Sequence, residues 1–203
     1  MIVSSMTYDE IRKEIQNDVE LVYKKSTHVI TELERKMRRE KLKKHLHVYE
    51  YNSKNKNKWI VKIDIGPKDV GRTFMTHFYV DNKIVAVQVI DSPFLLYYTA
   101  HFFKRYRERL TLEIAKPEEL IRHYLTGSSH FVPKILEKVD NNLLKMYIVG
   151  KQGTILGTLH VNTGICKMNT FLSPSMLKSD QVEMEKEMKE RLNKYNLDSG
   201  RLD

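Results

Sequence analysis

The apolar positions of the first fifty residues recur three and four apart. Ile11, Ile15, Val19 and Val22 make one such stripe, preceded by Thr7 with Glu10 three residues on, the reciprocal cap that opens a helix. Val29, Ile30, Leu33 and Met37 make a second stripe. The pattern predicts helices over 7–22 and about 26–44, an N-terminal helical hairpin whose apolar side must dock on something larger. From Leu46 the period falls to two. Strands are expected at Val48–Tyr51, Trp59–Ile65, Thr73–Val80 and Ile84–Ile90, with Asp81-Asn82 as a hairpin turn, and Ser92-Pro93 ends this antiparallel β-meander.

Helical spacing returns at Thr99–Leu110, with Thr99 placed to cap, and at Lys116–Leu125, with Pro117 in its first turn and Gly127 as its stop. A second meander follows: Leu143–Val149, Thr154–Val161 and Ile165–Phe171, turned at Gly150–Gly153 and Asn162–Gly164. A C-terminal helix over Ser179–Tyr195 carries Met184, Met188, Leu192 and Tyr195 on one side, with a frayed tail from Asn196. The fold class expected is α+β: antiparallel β-meanders packed against helices, with an N-terminal helical hairpin (residues 1–45) as an extension of an α+β domain (46–203) in one compact unit.

Composition narrows the class. With 41% hydrophobic residues and only 8 Gly and 5 Pro in 203, disordered and fibrous classes are excluded. No apolar run approaches a membrane span and no leader pattern opens the chain, so no membrane partner is expected. A single cysteine, Cys166, rules out an internal disulfide and a multi-cysteine zinc site, and a reducing cytoplasm is the expected location. Its neighbours Ile165 and Met168 suit a buried small hydrophobe rather than a nucleophile. Trp59, Tyr49, Tyr51, Phe74, Phe78 and Tyr79 read as core, and an exposed subset would stack on single-stranded bases.

The charge changes the picture more. The net charge is +9, and residues 51–115 carry 11 basic against 6 acidic residues. The densest run is Arg35, Lys36, Arg38, Arg39, Lys41, Lys43 and Lys44, broken by Glu40. Such a balance favours a polyanion, because phosphates neutralised by lysine and arginine release counterions. Nucleic acid is the expected partner, RNA rather than DNA, through a surface that includes Arg38 and Arg39. A protein partner is the alternative occupant.

Candidate chemistry concentrates in the segment TAHFFKRYRERL. At 100° per residue, His101, Arg105 and Arg109 fall at about 0°, 40° and 80° on one stripe, while Phe102, Tyr106, Leu110 and Phe103 fall at about 100° to 200° and pack inward. An imidazole beside two guanidiniums can move a proton near neutral pH and grip phosphate oxygens. The same stripe also suits a solvated helix edge in which Glu108 pairs with Lys104. In the second meander, Leu156, Thr158 and His160 share one side of their strand. Lys167 and Asn169 stand opposite Cys166, Met168 and Thr170 on the next. A sheet face with His160, Lys167 and Asn169 can hold a nucleic-acid backbone, or be a merely solvated face.

No phosphate-loop, dinucleotide or nucleophile-elbow motif occurs, so no cofactor is expected. His45, His47, His77, His123 and His130 are scattered, and no metal site is expected. The order of a helix with His-x-x-x-Arg-x-x-x-Arg, a second helix and a three-stranded meander ending in a Lys/Thr strand resembles small toxin-type RNase domains of the RelE/BrnT kind, in the class that also holds barnase-like and colicin-type ribonucleases. The resemblance covers residues 99–172. It implies metal-independent cleavage of RNA by His101 with Arg105 or Arg109 and, at the end of the last strand, Thr170 as a phosphate contact. His160 would be a second acid or base, Lys167 and Asn169 would orient the phosphate, and a protein antitoxin would be a partner.

Overall fold

The computed structural model describes residues 1–90, 94–127 and 131–198. The Ser92-Pro93 break and His130 lie outside them. The N-terminal hairpin is corrected to a single helix, α1 (Tyr8–Glu40), of 33 residues. Thr7 and Glu10 form the expected capping box, and Lys41 closes the other end in the left-handed region at φ 55°, its N–H returning to Met37. Polar Tyr23-Lys24-Lys25 interrupts the apolar spacing without Gly or Pro to break the backbone. The buried stripe passes through Asp18, Val22 and Ser26 without a gap. The two polar members of that stripe hid its continuity.

The described residues form nine strands in one mixed sheet: β1 (His45–Asn52), β2 (Lys58–Ile65), β3 (Val70–Val80), β4 (Lys83–Val89), β5 (Leu95–Tyr98), β6 (Phe131–Lys138), β7 (Leu143–Gly150), β8 (Gly153–His160) and β9 (Ile165–Leu172). Their order is β1-β2-β3-β4-β5-β9-β8-β7-β6. Neighbours are antiparallel except β5 and β9, which run parallel from Leu95↔Ile165 to Tyr98↔Met168. The chain leaves the first meander through α2 (Ala100–Arg109) and α3 (Pro117–Gly127) and re-enters at the far edge. The second meander then builds inward until β9 meets β5. A parallel pair needs a long crossover, and here two helices and three strands supply it.

Two of these strands escape the sequence pattern. The whole of β5 is the apolar run Leu95-Leu96-Tyr97-Tyr98, with both faces covered, so it shows no alternation. Strand β6 contains Pro133, which argues against a central strand. As the sheet's edge strand it tolerates the missing N–H.

Period-two alternation sorts the core into two layers. Trp59, Val61, Ile63, Phe74, Phe78, Val85, Leu95 and Ile165 meet the buried stripe of α1. Ile60, Met75, Ala86, Leu96, Tyr98, Ile148, Met168 and Phe171 meet α2 and α3 on the other face. The C-terminal helix, α4 (Ser179–Asp198), lies on the α1 side, where Met188 packs on Tyr147 and Val149 of β7. Between α1 and α4 that face carries Thr158 of β8 and Lys167, Asn169 and Thr170 of β9, all partly buried. Cys166 is buried with its thiol pushed up to about 12 by desolvation, the inert small hydrophobe expected. No helix among the described residues is long and apolar enough to cross a membrane.

Candidate active site

Strand β5 stops at Tyr98, four residues before β9 ends, so the carbonyls of β9 beyond that point have no strand beside them. Helix α2 takes that place. Its N-cap Thr99 accepts from the Phe102 N–H at 3.1 Å and donates its hydroxyl to the Met168 and Asn169 carbonyls at 3.2 and 3.4 Å. Ten residues on, an Arg109 guanidinium N–H donates to the Phe171 carbonyl. The helix is therefore pinned along β9 at both ends, and Phe102, Phe103 and Tyr106 turn into the core with Met168 and Phe171. His101 and Arg105 lie between the pins. His101 is exposed. The Arg105 guanidinium bonds Glu108 at 3.0 Å, and Lys104 reaches the same carboxylate at 3.9 Å, the pairing expected of a solvated edge. The Arg109 pKa is lowered, first by desolvation and then by the positive charge of Arg105 beside it.

Along the same stretch β9 carries an irregularity. Thr170 pairs with Leu156 and Met168 with Gly157, so Asn169 is an extra residue. The bulge corrects one expectation. Thr170 leaves the side of Cys166 and Met168, Phe171 takes the buried place, and Thr170 joins Lys167 and Asn169 on the α1 side of the sheet. Gly157 is required opposite the bulge, because an added Cβ would lie 2.7 Å from the Lys167 carbonyl oxygen. The Asn169 side-chain amide donates to the Thr158 hydroxyl at 3.4 Å, and Thr158 sits directly across from Lys167.

The expected site thus divides. Thr99 and Arg109 reach the backbone of β9 on either side of the bulge, whereas Lys167, Asn169 and Thr170 turn to the sheet face opposite the one on which α2 packs. His160 stands apart: it pairs with Ile165, four residues below Asn169 and hence about 13 Å away along the strand. Its ring packs 6.0 Å from that of Tyr8 instead. Arg38 and Arg39 lie thirty residues up α1 from Tyr8, about 45 Å at the helical rise, so they do not share this site. Arg38, Lys41 and Lys43 line a separate cavity of about 580 Å³ with Met37, Leu42, Ile65 and Pro67.

Sequence pattern alone does not find Tyr8 and Tyr97. Their rings meet edge-on at 5.4 Å across most of a hundred residues of chain, and nothing local signals the contact. Burial pushes the Tyr97 phenol up to about 12, with Tyr8 adding to it. Thr99 is legible as a cap, but its bonds to β9 are not. Among the described residues no three His, Cys, Asp or Glu side chains gather as a metal ion would require. His123 is committed to the Tyr106 hydroxyl at 2.9 Å. No protein-family model, curated protein or solved structure matches this chain.

Proposed function

We propose that the chain is an endoribonuclease-like protein of toxin type that cleaves RNA phosphodiesters with side chains of its own. The observation that supports this most directly is the double pinning of α2 along β9. It fixes the helix that carries His101, Arg105 and Arg109 along β9, where Arg109 reaches the backbone beside the partly buried Asn169 and Thr170. In this reading the His101 imidazole takes the proton of a ribose 2′-hydroxyl. The freed oxygen attacks phosphorus, the bond to the 5′-oxygen breaks, and that oxygen takes a proton from solvent. The products are a 2′,3′-cyclic phosphate and a 5′-hydroxyl. Arg105 and Arg109 hold the non-bridging oxygens as charge builds on them, and Thr170, turned to the other sheet face, takes no part. The Arg105–Glu108 pair is half-exposed, worth at most about 1 kcal/mol, so a phosphate can displace it. His160 has no part in proton transfer here.

The test is incubation of varied RNAs with wild type and His101→Ala, with and without chelator, between about pH 5 and 8. Cleavage that leaves cyclic phosphate ends and is lost in His101→Ala is the expected result. Intact RNA throughout overturns the reading. A second reading, non-enzymatic binding of nucleic acid, is favoured by the cavity that Arg38, Lys41 and Lys43 line at the far end of α1. It expects salt-sensitive binding that Arg38→Glu/Arg39→Glu weakens and His101→Ala does not.

A further inference from the structure

Strand β3 outruns its neighbour β2, and a cavity lies in the step. Strand β2 begins at Lys58 opposite His77, while β3 runs on through Phe78 and Tyr79 to Val80. Asp81 and Asn82, both at positive φ, form the two-residue turn that pairs Val80 with Lys83. Val80 therefore points its N–H at β4, and by alternation Tyr79 points its own to the side where β2 has stopped. No acceptor meets that N–H among the described residues. The N-terminal segment closes the step: the Ile2 N–H donates to the Asn57 side chain at 2.7 Å, and the Ile2 side chain is buried in the core on the α1 side. The enclosed cavity is about 320 Å³, with Ile2, Val3 and Phe78 as apolar wall, His77 in its lining, and Lys56 and Lys58 at the hairpin turn.

His77 is more than nine-tenths buried, and neither ring nitrogen has a partner among the described residues. A buried polar group left unpaired is costly, and here the chain itself supplies nothing to pair with it. The charged groups around His77 are Lys58 opposite it on β2, Glu118 on α3 and Glu50 on β1. Glu118 accepts from the Tyr79 hydroxyl at 2.6 Å, and Glu50 is paired with Arg122 at 2.7 Å. The Met1 amine, also in the lining, is paired with Glu14 at 2.7 Å. Lys56 and Lys58 are exposed and have no ion-pair partner among the described residues. The cavity thus offers two free ammoniums, an imidazole and a backbone N–H, with no carboxylate in its lining. We propose that it binds a small phosphate monoester, the phosphate held by Lys56, Lys58, His77 and the Tyr79 N–H and the organic part laid against Ile2, Val3 and Phe78. Charge selects phosphate over carboxylate, because a monoester carries about −1.5 to −2 at pH 7 and three acceptor oxygens to set against two lysines and two further donors. Volume selects a small body, since the cavity lies at the lower end of the range for small-molecule sites. Strand β3 stands three strand spacings from β9, about 14 Å, so the site is separate from the α2 stripe and does not rest on the nuclease reading.

The test titrates glycerol 3-phosphate, inorganic phosphate and glycerol in turn into the full chain and follows the His77 ring protons by NMR. Glycerol 3-phosphate is expected to shift those signals and to raise the pH at which they titrate, because a bound anion favours the imidazolium. It is expected to bind at least about threefold more tightly than inorganic phosphate, and glycerol not to bind. Lys56→Glu/Lys58→Glu is expected to weaken binding by about tenfold or more. Both lysine side chains are exposed, so this variant keeps the fold where a substitution at buried His77 would disturb it. His101→Ala leaves binding unchanged. His77 signals that neither phosphate compound moves, or wild-type affinity in the lysine variant, overturn the site. An ester that binds no better than inorganic phosphate overturns the assignment of its ligand.

Discussion

At the scale of single residues, burial and backbone register decide what a side chain can do. His77 on β3 is 7% exposed, and neither ring nitrogen has a hydrogen-bond partner among the described residues. Its pKa is lowered, chiefly by burial; Lys58 lowers it further, while Glu118 and Glu50 oppose the shift. The folded chain therefore holds His77 neutral where the unfolded chain, with an ordinary value near 6.5, takes up a proton. The unfolded state binds more protons in that window, so stability falls as pH drops below about 6.5. Urea midpoints at pH 7.5 and 5 are expected to show that fall, and His77→Phe to reduce it. An unchanged slope in the variant assigns the effect elsewhere. The same scale explains Thr170. Strict alternation puts it with Cys166 and Met168, and only the extra residue in β9 turns it to the other face. A bulge leaves no mark in the order of polar and apolar residues, although Gly157 across from it is the residue that admits the close backbone approach.

At the scale of elements, caps and stripes were readable, and partners were not. The Thr7–Glu10 box, the Thr99 cap and the inward face of α2 follow from spacing and side-chain chemistry. The joining of two expected helices into α1 follows from Asp18 and Ser26 being buried. Asp18 accepts from the Asn57 amide at 2.6 Å and the Trp59 indole at 3.2 Å, partners that belong to β2 and the turn before it. Thr99 tests the pinning of α2. Thr99→Ala removes the helix cap at a cost of about 1 kcal/mol. It also frees the N-terminal end of α2 from Asn169, so cleavage is expected to fall further than the loss of folded protein explains. Thr99→Ser keeps the hydroxyl and is expected to restore both. Paired denaturation midpoints and cleavage rates measure this. Rates that simply follow the folded fraction would show that the pin has only a structural role.

At the scale of the whole molecule, charge is spread over two regions that the chain order does not relate. The cationic end of α1 lies about 45 Å from the Tyr8 end of the same helix. Contacts there add to affinity through counterion release, so Arg38→Glu/Arg39→Glu is expected to make the dependence of RNA affinity on salt shallower. The change in log–log slope is about 1 to 2, and titrations at several salt concentrations read it directly. A slope equal to wild type would mean that RNA does not reach that end. The sequence by itself determined the α+β class, most strands and helices, and the shared stripe of His101, Arg105 and Arg109, because periodicity and capping are properties of neighbours along the chain. Only the tertiary structure decided that two meanders join at β5 and β9, that α2 lies along the free edge of β9, and that His160 stands apart from His101. Those outcomes depend on contacts between residues distant in sequence, where one strand's end or one inserted residue sets which side chains meet.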